Sequence, residues 1–124
     1  MNGYLVTASM LTVLMALVHS VVGEILILIP LHKRERRQPG HGLTTPAVLR
    51  FTWHILSVLG LGMAVILWHY SRFAALTADQ IAVLRILALT FLVSFGIALA
   101  GSRARHPSWA VFLAVAGLTW FSAR

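Results

Sequence analysis

Three side chains able to carry charge interrupt stretches that are otherwise apolar. His19 and Glu24 lie in the apolar run from Tyr4 to Leu31, and His54 lies in the next one. An ionised group at the centre of a membrane costs at least about 2.5 kcal/mol, so such groups usually face the interior of a bundle and have a partner. These three residues are therefore the first candidates for chemistry.

Helix geometry predicts which of the three meet. Counted at about 1.5 Å per residue from the basic ends of their helices, Glu24 lies about 10 Å deep, His54 about 12 Å and His19 about 18 Å. On one straight helix His19 and Glu24 are about 140° apart and about 7.5 Å apart along the axis, so a straight helix does not easily aim both at a single ion, but the two can flank a shared cavity. If the first two helices are antiparallel neighbours, Glu24 and His54 face each other at nearly one depth.

Bound cofactors are one class of function for these residues. Imidazole and carboxylate groups are ligands of zinc, iron and manganese. The leading prediction is a metal-cation site with Glu24 and His54 as ligands and His19 as a ligand or as a hydrogen-bond partner of a ligand, with His106 as a further ligand from the "RHPSW" segment. A b-type haem held by His19 and His54 is the alternative cofactor.

Two further functions need no bound metal. One is a polar clamp between helices in a structural or accessory subunit of a membrane complex, formed by Glu24 and His54 with Ser20 and Ser57 on the same helix faces. The same residues predict a proton relay in a proton-coupled transporter of a small molecule or an ion, with Glu24 as the proton carrier. No catalytic constellation is present in the sequence, which favours a non-enzymatic protein.

Composition indicates that the whole chain is a membrane protein. Of its 124 residues 59% are hydrophobic and 10% are charged, whereas a soluble domain has about 45–50% apolar and about 25% charged residues. The absence of cysteine excludes disulfides and thiolate metal sites. The net charge of +7 comes from basic residues that flank apolar runs, so it predicts membrane topology and no nucleic-acid partner.

Four apolar runs predict an all-α integral membrane bundle with up-down-up-down topology, forming a single transmembrane domain over residues 1–124. Pro30 marks the end of the first span or a kink near it. A charged segment with a Pro-Gly turn, "HKRERRQPGHG", follows, and Thr77 and Gln80 fit a capping box. The predicted spans are residues 4–31, 45–70, 78–101 and 107–122.

The basic residues predict the orientation and the surroundings. Those assigned to the cytoplasmic side are Lys33, Arg34, Arg36, Arg37, Arg50, Arg103 and Arg105. Arg72 and Arg124 fall on the other side, so both termini are expected to be periplasmic in a bacterial inner membrane. The N-terminal run is interpreted as a retained helix. Besides the lipid bilayer, a homo-oligomer or a larger membrane complex is expected, because four short helices enclose little volume.

Short motifs add a resemblance to known membrane proteins. "HSVVGE" in the first span, "WH" in the second and "HPSW" before the fourth resemble small four-span bacterial membrane proteins. That resemblance implies a fold but no activity. The layout is also similar to that of the small multidrug resistance transporters, which have a similar size, four spans and one essential glutamate in the first span. The similarity implies that role for Glu24.

Overall fold

A computed structural model describes residues 1–36 and 44–124, which form four helices and no strand. The first helix has three parts: α1 (Gly3–Gly23), a π-helical turn (Glu24–Leu28) and α2 (Ile29–Arg36). It is followed by α3 (Thr44–Ser71), α4 (Ala78–Ser102) and α5 (Ser108–Ser122). The bounds of α3, α4 and α5 lie within one residue of the second, third and fourth predicted spans. The predicted Pro39-Gly40 turn lies outside the described residues.

The helix that contains the first predicted span continues through Pro30 to Arg36, beyond the predicted span end at Leu31. Proline has no N–H and its ring clashes with the carbonyl group four residues earlier, which normally breaks or kinks a helix. Here the turn before Pro30 is widened, and the N–H of Ile29 bonds to the carbonyl oxygen of Glu24, five residues earlier. A π turn of this kind changes the helical register and accommodates the ring without ending the helix.

Local sequence signals define two helix starts. The side-chain oxygen of Asn2 accepts a hydrogen bond from the N–H of Tyr4 at 3.1 Å and so caps α1. The capping box of α4 is confirmed: Gln80 N–H donates to the Thr77 hydroxyl at 3.3 Å, and Thr77 N–H donates to the Gln80 side chain at 2.9 Å. These caps satisfy amides that have no partner within the helix.

The helices are packed in the order α3–α1–α5–α4. α1 packs against α3 on one side and against α5 on the other, while α4 packs against α5 and touches α3 only slightly. The N–H of Asn2 donates to the carbonyl oxygen of Ser71 at 2.8 Å, which joins the start of α1 to the end of α3. The apolar core lies at this same end of the molecule and comprises Leu5, Ala8, Leu67, Leu84, Phe91, Val115, Ala116 and Ala123.

Three helices are long and apolar enough to cross a membrane: Gly3–Arg34, Ala47–Ser71 and Ala78–Ser102. α5 is apolar but has only 15 residues. Large aliphatic side chains point outward, and Leu26, Val65 and Ile97 are each about two-thirds exposed (68%, 66% and 69%). Contiguous apolar surface of this extent is rare on proteins surrounded by water.

A buried serine ties α1 to the backbone of α3. The Ser9 hydroxyl donates to the carbonyl oxygen of Ala64 at 2.8 Å. Ser9→Ala is expected to lower the free energy of unfolding by about 1 kcal/mol, the usual net value of an intramolecular hydrogen bond. The check is an SDS unfolding titration in detergent. Ser94→Ala is the control, because the Ser94 hydroxyl bonds only to Thr90 within its own helix, and an equal effect of both variants would contradict the role of Ser9.

Candidate functional site

Glu24 is the centre of a polar cluster between the first helix and α3. One carboxylate oxygen, Oε1, forms an ion pair with Nη2 of Arg50, and the other, Oε2, lies 3.2 Å from Nε2 of His54. The predicted contact between Glu24 and His54 is therefore confirmed. The Glu24 side chain is 18% exposed and that of Arg50 54%, so the cluster opens outward on the side of Arg50.

His54 is held at both ring nitrogens. Its Nδ1 lies 2.8 Å from the Ser20 hydroxyl oxygen, while Nε2 faces Glu24. A carboxylate only accepts hydrogen bonds, so in the neutral ring Nε2–H donates to Glu24 and the Ser20 hydroxyl donates to Nδ1. In the protonated ring both nitrogens donate and the Ser20 oxygen accepts. The two partners thus accommodate His54 with or without an added proton.

Helical spacing builds this cluster from two facing pairs. Ser20 and Glu24 are four residues apart on the first helix, and Arg50 and His54 are four residues apart on α3, so each pair lies on one helix face. Glu24 is also the first residue of the π turn, and its N–H bonds to the carbonyl oxygens of both Ser20 and Val21. The cluster Ser20–His54–Glu24–Arg50 therefore crosses between the helices at the point where the first helix widens.

A second contact between the same helices lies beside the cluster. The imidazole of His19 stacks on the Trp53 indole, with ring centroids 4.4 Å apart and planes 6° from parallel. The indole N–H donates to the carbonyl oxygen of His19 at 2.9 Å. A Cβ added at Gly23 would overlap the indole, with Cζ2 at 2.6 Å, so the absence of a side chain there lets Trp53 fit. Nε2 of His19 is buried and has no hydrogen-bond partner among the described residues.

Besides His19, two of the predicted site residues lie outside the cluster. Ser57 is buried, but its hydroxyl donates to the carbonyl oxygen of Trp53 in its own helix at 3.5 Å. His106 lies in the exposed connection between α4 and α5, where its Nδ1 is 2.9 Å from the Ser108 hydroxyl. In the part of the chain that the structure describes, no three His, Asp or Glu side chains form a group that could hold a metal ion.

Arg50, Trp53 and Gly23 were not predicted as site residues. Arg50 lies one helical turn before His54, so the four-residue spacing together with the depth of Glu24 was a usable signal for it. Trp53 stands beside His54 in the "WH" pair, and no role in the site was predicted for it. Its fit against Gly23 depends on the rotation of two helices about their axes, which no local sequence pattern specifies.

No protein-family model, no curated protein and no solved structure matches this chain. Its function is therefore inferred from the geometry of the cluster.

Proposed function

We propose that this chain is a four-helix protein of a bacterial inner membrane in which His54 and Glu24 bind a proton reversibly for proton-coupled transport. The observation that carries the proposal is the placement of His54 between a hydroxyl group at 2.8 Å and a carboxylate at 3.2 Å. Histidine is the side chain whose charge most readily changes near neutral pH. Ser20 can donate to the neutral ring or accept from the charged one, and the Glu24 carboxylate accepts a hydrogen bond from Nε2–H in either state.

The membrane placement is supported by length, apolarity and charge. Three helices have the length and composition needed to cross a bilayer, and their aliphatic side chains point outward. Lys33, Arg34, Arg103 and Arg105 lie at the ends of helices that meet on one side. By the positive-inside rule that side is cytoplasmic, and both termini are periplasmic. The cluster then opens toward the cytoplasm through Arg50.

Charge balance favours a proton over a metal ion at this position. The Glu24 carboxylate already has the Arg50 guanidinium as its counter-ion, so a divalent cation would bring two charges to a neutral cluster. A proton brings one charge and needs no displacement of Arg50. A haem iron held by His54 would need one of its ring nitrogens, so His54 would first have to lose its contact with Ser20 or with Glu24.

The test follows the protonation of His54 directly. Full-length protein with ¹⁵N-labelled histidine is titrated from about pH 8 to about pH 5 in detergent micelles, a range that spans ordinary histidine titration. His54→Gln assigns the His54 signals. They are expected to change from the neutral to the charged pattern, and Glu24→Gln is expected to alter the Nε2 signal of His54, because Glu24 is the hydrogen-bond partner of that nitrogen. His54 signals that stay neutral throughout would contradict the proton site and leave a polar clamp in an accessory subunit.

Transport is tested in proteoliposomes with a pH-sensitive dye inside. After an imposed pH gradient, added Na⁺ or K⁺ is expected to dissipate the gradient faster with the wild type than with Glu24→Gln. Asp79→Asn serves as the control, because Asp79 lies in the first turn of α4, away from the cluster. Equal rates for the wild type and Glu24→Gln would contradict ion-coupled transport, even if His54 titrates.

Metal binding is the second candidate, favoured by one observation. Nε2 of His19 is buried without a hydrogen-bond partner among the described residues, which is unusual for a polar atom. Zinc, iron or manganese held by Glu24, His54 and His19 would require Arg50 to leave the carboxylate. Elemental analysis of tag-free protein separates the two proposals: near-stoichiometric metal that is lost in Glu24→Gln and His54→Ala would favour the metal, and a Soret band would favour haem.

A further inference from the structure

The connection between α4 and α5 contains two residues in a conformation that glycine usually adopts. Arg103 and Ala104 have positive φ angles of 50° and 61°. The N–H of Arg103 donates to the carbonyl oxygen of Ala100 at 3.2 Å, and that of Ala104 donates to Leu99 at 2.9 Å. This pattern closes many helices, usually with glycine at the left-handed position, because a Cβ is unfavourable there. An arginine in place of glycine thus costs stability and suggests that its side chain has a use.

The side chains of this connection point away from the protein. Arg103 and Arg105 are both exposed, and neither has a carboxylate within ion-pair distance among the described side chains. Trp109 contacts both the turn and α4. Its indole N–H donates to the carbonyl oxygen of Ala104 at 3.3 Å, and the centroid of its ring lies 6.4 Å from that of Phe95. The turn therefore holds two guanidinium groups beside a tryptophan.

We propose that this turn, residues 103–109, binds the phosphate of an anionic phospholipid. A guanidinium group presents a planar fork of donors that matches phosphate oxygens. Tryptophan prefers the headgroup level of a membrane. The outward-facing Ile97 lies nearly two turns before Arg103 on α4 and is 69% exposed, so apolar surface for an acyl chain follows directly below the arginines. The inference rests on the membrane placement proposed above but is independent of the proton site.

The test measures lipid binding to the full chain in a nonionic detergent by native mass spectrometry. Phosphatidylglycerol is compared with zwitterionic phosphatidylcholine, and inorganic phosphate is the competitor. Arg103→Gly and Arg105→Gln are each expected to lower the affinity for the first phosphatidylglycerol about fivefold, since a basic residue near an anionic membrane contributes about that factor. Arg72 is an exposed arginine that directly follows the end of α3. Arg72→Gln is therefore the control and is expected to change the affinity for phosphatidylglycerol less than twofold.

Arg103→Gly also separates the proposed role from a merely structural one. Glycine adopts a positive φ angle without the steric penalty of a Cβ, so the variant is expected to unfold at a higher temperature while it binds less phosphatidylglycerol. Unchanged lipid affinity in both turn variants, or an equal loss in Arg72→Gln, would overturn the proposal. If millimolar inorganic phosphate displaces the bound phosphatidylglycerol, the proposal that a lipid occupies the turn would be overturned. A chain that stays monodisperse without detergent would instead overturn the membrane placement.

Discussion

Replacing Gly23 by alanine is expected to lower the free energy of unfolding by about 2 kcal/mol, within the range for overpacking a tight contact. The added methyl group would overlap the indole of Trp53, whose Cζ2 would lie 2.6 Å away. The indole is fixed on two sides, by the His19 ring at 4.4 Å and by its hydrogen bond to the His19 carbonyl oxygen at 2.9 Å. It therefore cannot move aside without losing both contacts. The measurement is an SDS unfolding titration followed by circular dichroism.

Two variants provide the controls for this prediction. Gly62→Ala places a methyl group in α3 where nothing lies within 4 Å, so it is expected to be neutral or to stabilise by up to about 1 kcal/mol through helix propensity. In a Trp53→Ala background, Gly23→Ala is expected to lose most of its cost, because the ring it would strike is gone. An equal cost with and without Trp53 would mean that Gly23 acts through the backbone of the π turn instead.

Replacing Glu24 by alanine is expected to cost about 2 kcal/mol, between the 3–5 of a fully buried ion pair and the 0–1 of an exposed one. The intermediate value follows from the exposure of the two side chains, 18% for Glu24 and 54% for Arg50. The variant leaves the Arg50 guanidinium without its counter-ion and the Nε2–H of His54 without its acceptor. The same SDS titration measures the loss.

The asymmetry of this ion pair gives a sharper test than the single variant. Arg50→Ala is expected to cost about 1 kcal/mol or less, because Glu24 keeps His54 as a partner and Arg50 is half exposed. The loss of unfolding free energy in the double variant is expected to be smaller than the sum of the losses in the two single variants, since the ion pair is lost only once. Equal losses for Arg50→Ala and Glu24→Ala would contradict the view that Glu24 is the shared centre of the cluster.

Part of the site followed from the sequence because helical rise is constant. Glu24 and His54 have similar distances from the basic ends of their helices, so antiparallel packing of these helices brings them to one level. Their contact at 3.2 Å agrees with that expectation. The Thr77–Gln80 capping box was predictable for a similar reason, since it involves a hydroxyl and an amide only three residues apart.

The remaining parts of the site depend on distances between helices. The leading prediction grouped His19 with Glu24 and His54, whereas in the structure His19 stacks on Trp53, whose indole fills the space left by Gly23. Ser57 was grouped with Ser20 because both lie on polar helix faces, yet only Ser20 reaches His54. Arg50 was assigned to topology alone, although its side chain is long enough to reach the Glu24 carboxylate.

The sequence by itself determined that this chain is helical, where most of its helices begin and end, and which residues share a level in the bundle. These properties depend on apolar run length, on caps and on a constant rise per residue, all of which are local. Only the tertiary structure decided that Pro30 lies within a continuous helix after a π turn, that α3 packs on α1 more than on α4, and that Arg50 joins the site. Those properties depend on the rotation of each helix about its axis, which is set by contacts between residues far apart in the chain.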